Sequence, residues 1–207
     1  MTRTWKRPWA VLMDRDGVIN RDSPDYIKTW DEFSFLPGSL AAFRRLRTAG
    51  IPVIIITNQS AAGRGYISEA TLRHIHGRMR ETVRAAGGRI LDIFYCPHTP
   101  EQGCGCRKPA PGLLFQAARR HGLDLSRCLM IGDSARDIES ARRAGCGQEI
   151  LVKTGNGTAA ETQLIEKGCP PAVAAENLRE ATDFLLSLPP APRRPEFPAE
   201  LPRSARY

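Results

Sequence analysis

No apolar run in this sequence approaches the roughly 20 residues that a membrane-spanning helix needs. The basic N-terminus, with Arg3, Lys6 and Arg7, is followed by a short apolar stretch that runs straight into Asp14. It does not read as a signal peptide, and a cytoplasmic protein is the expectation. Aromatic residues are scarce, at 7%. A single-strand nucleic-acid surface interleaves aromatics with basic residues, and that interleaving is missing here. The net charge of +8 is spread rather than massed: Arg44, Arg45 and Arg47 on one expected helix, Arg78, Arg80 and Arg84 on another, Arg142 and Arg143 on a third. Dispersed arginines of this kind read as solvated faces. There is no internal repeat. The six cysteines are too scattered for a disulfide framework in a cytosolic context, apart from one cluster taken up below.

What is present is alternation. Residues 9–13 form a short apolar run, and 38–49 carry Leu40, Phe43 and Leu46 at helical spacing before Gly50. The stretch 51–57 is β-branched with no polar alternation, as in a strand buried on both faces of a parallel sheet. Helices are expected at 68–86, 111–121, 135–144, 158–167 and 177–187, and further strands at 90–95, 128–131 and 149–152. Strands and helices alternating at this length imply an α/β fold, a Rossmann-like parallel sheet covered by helices on both faces. One domain over 1–188 is the expectation. From Pro189 onward the chain is rich in proline and arginine, a tail with no regular element and expected to be mobile.

Four of the expected strands end in polar residues suited to chemistry. The first runs into Asp14-Arg15-Asp16-Gly17, two carboxylates whose spacing along a strand would point them the same way. The second ends in Thr57-Asn58-Gln59-Ser60, a hydroxyl followed by turn amides that could cradle a phosphate. Arg107-Lys108-Pro109 precedes the helix opened by Pro111, and Pro109 favours an extended Lys108. Gly132-Asp133-Ser134-Ala135-Arg136-Asp137 ends another strand, with two carboxylates that could serve a hard cation such as Mg²⁺. Each segment alone reads as a turn, a cap or a surface pair. Together, in this order and at strand ends, where open α/β sheets bind ligands, they read as one site.

These four motifs resemble those of the haloacid dehalogenase-like (HAD) phosphatase superfamily, over residues 9–155. The resemblance implies Asp14 as the nucleophile that forms an aspartyl-phosphate, and Asp16 as general acid and then base. It implies Mg²⁺ between Asp14, the backbone carbonyl of Asp16, and Asp133. Thr57 and Lys108 would hold the phosphoryl oxygens, with Asp137 orienting Lys108 or the metal shell.

Cys96, His98, Cys104 and Cys106 fall within eleven residues, a pattern that fits a closed structural Zn²⁺ site. It lies just before Lys108 and would stiffen the loop that delivers it. The cluster resembles the zinc-containing branch of the superfamily that lacks a large cap domain. That branch acts on heptose 1,7-bisphosphate or on histidinol phosphate. Thr57-Asn58-Gln59-Ser60, Arg64-Gly65, Thr154-Gly155-Asn156-Gly157 and the stretch from Asn20 to Tyr26 before Asp31-Glu32-Phe33-Ser34-Phe35 resemble the heptose enzymes more closely. The five-residue loop from Thr99 to Gly103 is the short form that the histidinol-phosphate enzymes share.

By this resemblance Asp22, Tyr26, Asn58, Gln59, Ser60, Arg107 and Ser134 would line the substrate side. Ser134 stands where some relatives carry a lysine. The implied activity is Mg²⁺-dependent removal of the 7-phosphate in the synthesis of heptose-containing lipopolysaccharide precursors. Histidinol-phosphate hydrolysis is the alternative, with a DNA 3′-phosphatase or a zinc nucleic-acid module behind it. The implied partner is a phosphorylated sugar, with no nucleic acid and no membrane, and the protein is expected to be a monomer.

Overall fold

Six parallel strands lie in the order β3-β2-β1-β4-β5-β6 in the computed structural model, which describes residues 5–190. The strands are β1 (Ala10–Met13), β2 (Val53–Asn58), β3 (Ile90–Cys96), β4 (Cys128–Gly132), β5 (Gln148–Val152) and β6 (Ala174–Ala175). All but the two-residue β6 were expected from the sequence. The proline- and arginine-rich tail from residue 191 on lies outside the described residues. Among those residues no helix is long and apolar enough to cross a membrane.

The side-chain period of two sorts β1 cleanly. Val11 and Met13 face the layer of α1 (Ser39–Thr48), α3 (Glu69–Ala85) and α7 (Leu178–Ser187), through Phe43, Leu46, Ile75, Met79 and Leu185. Ala10 and Leu12 face the layer of α4 (Gly112–His121) and α5 (Ala135–Ala144), through Leu114, Ala117 and Ala141. The short α2 (Ser60–Gly63) and α6 (Gly157–Glu166) complete the set. β2 is buried on both faces, which explains its unbroken Val-Ile-Ile-Ile run. β3 is one of the two edge strands, and most of its residues are half-buried.

Ends are made where the chain predicts them. Ser68 caps α3 by accepting from the Thr71 amide, and Gly122 and Gly145 close α4 and α5 in the left-handed region. Several of the arginines expected on solvated faces keep a third or more of their side chain exposed and also form ion pairs. Arg142 pairs with the buried Glu149 at 2.8 Å, Arg80 with Asp92 at 3.2 Å, and Arg45 with Asp183.

The sheet order places β1 and β4 side by side where chain progression reverses direction. A crevice opens there beyond the strand C-termini, the usual ligand position in such sheets.

Candidate active site

Lys108 is almost fully buried, 2% exposed, and its ammonium is surrounded by three oxygens. Its Nζ lies 2.9 Å from Asp14 Oδ1 and 2.6 Å from Asp137 Oδ1, and donates to the Ile56 carbonyl at 2.7 Å. β1, β2 and α5 thus converge on one cation. The backbone of Lys108 is gripped as firmly: Asn58 donates to its carbonyl and accepts from its amide, both at 3.1 Å. Asn58, expected on the substrate side, lines the cavity while its amide serves as this clamp. The Lys108–Pro109 peptide is cis.

One carboxylate oxygen each of Asp14, Asp133 and Asp137 lies within 4.8 Å of the others. One ammonium cannot balance three such groups. Burial, opposed in part by Lys108, pushes Asp14 up to about 7, and burial with the charges of Asp137 and Asp14 pushes Asp133 up to about 8. A hard divalent cation with oxygen ligands fits this donor set. Asp133 is held tightly: its Oδ2 accepts from the Asn156 amide at 2.9 Å. A Cβ on Gly17 or on Gly155 would collide with that same oxygen, and both glycines have positive φ. Thr154 closes this corner by donating to the Gly17 carbonyl at 2.6 Å.

Asp16 is held differently. Its Oδ1 accepts from Arg15 Nε and Nη2 at 3.1 and 2.8 Å and from Asn20 Nδ2 at 2.9 Å. Its Oδ2 accepts from Gln59 Nε2 at 2.7 Å, and Gln59 also donates to Thr57 Oγ1 at 2.9 Å. Burial alone would raise this carboxyl, but Arg15, Asn20 and Gln59 outweigh it and hold it below the usual carboxylate range.

Asp14, Asp16, Asp22, Tyr26, Thr57, Asn58, Gln59, Ser60, Arg107, Lys108, Asp133, Ser134 and Asp137 all line one cavity, so the residues singled out for catalysis, Mg²⁺ and substrate meet here. Some are engaged otherwise than expected. Ser134 Oγ accepts from the Arg136 amide, and Asp137 accepts from the Ser134 amide, so this pair caps α5. Asp22 accepts from Asn156 Nδ2 at 3.1 Å, across the mouth.

Cys96, His98, Cys104 and Cys106 also come together, with contacts of 3.2 to 3.5 Å among their sulfur and Nδ1 atoms. Burial raises Cys96 and Cys106. Cys104 is instead lowered to about 6: burial opposes this, but hydrogen bonds from Cys106 and the Arg107 amide prevail. The group lies against the mouth of the site, where Arg107 Nη1 donates to the His98 carbonyl at 3.1 Å.

Comparison with known proteins reaches the same place. A profile described as HAD-hydrolase-like matches residues 105–181. The D-glycero-β-D-manno-heptose-1,7-bisphosphate 7-phosphatase of Pseudomonas aeruginosa is 51% identical over 147 residues, 71% of this chain and 82% of that protein. The enzyme of the same name from Bordetella bronchiseptica is 45% identical over 177 residues, 85% of this chain and 97% of that one. The chain belongs to the heptose-1,7-bisphosphate 7-phosphatase family of HAD-like hydrolases. A crystal structure of the B. bronchiseptica phosphatase, described as complexed with magnesium and phosphate, superposes with a TM-score of 0.80. It covers 86% of this chain and 98% of that one, at 42% identity.

The family resemblance pointed to neither Arg15 nor His76. Arg15 is 1% exposed, and its Nη1 lies 3.2 Å from Nε2 of the buried His76 on α3. Arg15 has the opposite strand parity to Asp14 and Asp16, which sends it towards the α1–α3 layer. His76 falls on the buried face of α3 with Leu72, Ile75, Met79 and Val83. A charged residue at core parity and an imidazole on an apolar stripe were the available signals.

Proposed function

We propose that this chain is a phosphoric monoester hydrolase that removes the 7-phosphate of D-glycero-β-D-manno-heptose 1,7-bisphosphate. The convergence of Asp14 and Asp137 on Lys108, with Asp133 grouped against them and Asp16 held separately, carries this reading. Support for the heptose substrate, and for its β anomer, comes from the names of the two relatives given above.

Asp14 is the nucleophile. Lys108 and the Arg15 amide both bond its Oδ1, leaving Oδ2 to attack phosphorus. The bond from phosphorus to the leaving alcohol breaks as the aspartyl-phosphate forms, and Asp16 gives its proton to the departing oxygen. Asp16 then takes a proton from water, which attacks the aspartyl-phosphate and frees inorganic phosphate and Asp14. The low resting value of Asp16 suits the second step. A phosphomonoester, with a second pKa of about 6, can bring in the proton needed for the first. Thr57 and Lys108 meet the phosphoryl oxygens, where spread negative charge must be neutralised. Asp14, the Asp16 carbonyl and Asp133 would hold Mg²⁺, with Asp137 behind it; bound there, the cation would supply charge neutralisation.

We assign Zn²⁺ to Cys96, His98, Cys104 and Cys106. Three sulfurs and one nitrogen leave no open position, so this metal is structural, and it braces the Arg107–Lys108 segment. Tyr26, Asp22, Ser60, Arg107 and Ser134 form the mouth that meets the sugar.

The test is a rate comparison on the α and β anomers of the heptose bisphosphate and on histidinol phosphate. The β anomer is expected to give the highest kcat/KM. Preference for histidinol phosphate overturns the substrate assignment.

A further inference from the structure

Asp16 is the centre of a hydrogen-bond set that treats its two oxygens unequally. Oδ1 takes three donors, two from Arg15 and one from Asn20, while Oδ2 takes only the Gln59 amide. Arg15 has no acceptor capacity, so the His76 Nε2 it faces at 3.2 Å must be the accepting, unprotonated nitrogen. His76 in turn is wedged edge-on against Tyr95, with ring centroids 5.7 Å apart, and the Arg15 guanidinium lies over Phe33 at 5.9 Å. A guanidinium this deeply buried is costly unless every side is paired, and here the pairing is supplied by Asp16, His76 and the ring.

We propose that Arg15, fixed by neutral His76, is a positioning residue that immobilises Asp16 by its Oδ1, so that Oδ2 is the oxygen that carries the proton to and from the reacting ester. Its three donors leave Oδ1 little capacity to hold a proton. Oδ2, with its single donor, keeps capacity for a proton, and Asp16 lines the cavity. Proton transfer needs the acid held at hydrogen-bond distance and in line with the leaving oxygen, and a carboxylate free to spin about its χ2 bond would spend much of its time elsewhere. His76 acts at one remove: it fixes the guanidinium plane, and that plane fixes the carboxylate.

The proposal rests on Asp16 being the general acid, and the experiment separates the two. Release of the leaving group in a single turnover, which reports formation of the aspartyl-phosphate and not its hydrolysis, is measured by rapid quench on two substrates. One is heptose 1,7-bisphosphate, whose alkoxide leaving group needs a proton. The other is p-nitrophenyl phosphate, whose phenolate does not, assayed at high enzyme concentration so that slow turnover is measurable. Asp16→Asn should lose far more on the heptose ester than on the aryl ester; equal losses would overturn the reading of Asp16 itself. Given that selectivity, Arg15→Met should lose about 10- to 100-fold in the rate of this first step on the heptose ester, a part of the ~10²–10⁴ that a general acid supplies. It should lose less than about 3-fold on the aryl ester, with KM little changed.

His76→Leu should show the same selectivity at about 5- to 10-fold. His76→Gln, whose amide oxygen can still accept from Arg15, should recover most of it. Equal losses on both substrates in the Arg15 and His76 variants, beside a selective Asp16→Asn, overturn the proposal, as does an unchanged first-step rate on the heptose ester. If Arg15→Met does not fold, His76→Leu against His76→Gln decides by the same criterion.

Discussion

Lys108 Nζ lies 2.9 Å from Asp14 Oδ1, in a pocket where the lysine side chain is 2% exposed. This is the contact on which the site turns, because it places a permanent positive charge beside the carboxylate that must meet an anionic ester. Burial alone would lower the Lys108 ammonium, but Asp137 and Asp14 outweigh it and raise its pKa. Lys108→Met should therefore lower kcat by at least about 100-fold, the scale of removing one electrostatic contact from a transition state. It should also destabilise the fold by roughly 3 kcal/mol, since Asp137 is left buried without its cation. Steady-state kinetics and urea unfolding check the two effects. A stable variant with near-normal kcat would place the lysine outside the reaction.

The crowding of Asp14 and Asp133 predicts how Mg²⁺ and pH trade against each other. Their folded-state values, about 7 and about 8, lie above the ordinary 3.8 of a free carboxyl. Stability from their protonated forms is complete below about pH 3.8 and is lost as pH rises through 7 to 8. Without added Mg²⁺ this contribution to Tm should fall from pH 5 to pH 8. Added Mg²⁺ should raise Tm more at pH 8 than at pH 5, because at pH 5 it must displace protons. Thermal melts in paired buffers test this. A larger Mg²⁺ effect at pH 5 would contradict the carboxylate assignment.

Gly155→Ala tests the corner behind Asp133. A methyl group there meets Asp133 Oδ2 and the Gly17 backbone, at a φ of +58° that disfavours any side chain. Weaker Mg²⁺ dependence is expected, with at least a tenfold higher concentration for half-maximal activity, about 1.4 kcal/mol of lost affinity. An unchanged Mg²⁺ titration would mean that Asp133 can move aside freely.

If the Cys96, His98, Cys104 and Cys106 cluster holds Zn²⁺ as proposed, Cys104→Ser should release it and lower Tm. Because Arg107 is tied to the His98 carbonyl, kcat/KM should fall even though no cysteine faces the ester. Metal analysis by mass spectrometry reads the first effect. Full zinc content in the variant would reject the four-ligand site.

The strands and long helices were legible because each carries its own local signal. β2 is an unbroken β-branched run, and Ser68 and Gly122 mark helix ends. The gathering of the four motifs was legible too, since strand ends in a parallel sheet share one edge. The two-residue β6 and the four-residue α2 were not, being too short to show a period. Nor were the partnerships inside the site. Nothing local says that Asn58 will clamp the Lys108 backbone, that Gln59 will join Asp16 to Thr57, or that Arg15 will reach a histidine 61 residues away. Such contacts depend on which helix packs over which strand, a property of the whole fold.

The most direct test of the central claim is the rate at which Asp14→Asn releases the 7-phosphate of heptose 1,7-bisphosphate, followed by ³¹P NMR beside the unaltered protein at saturating Mg²⁺. With Asp14 as nucleophile, the unaltered protein removes the 7-phosphate and spares the 1-phosphate, and the folded variant shows no turnover above background. A variant that releases the 7-phosphate at close to the unaltered rate would contradict the assignment.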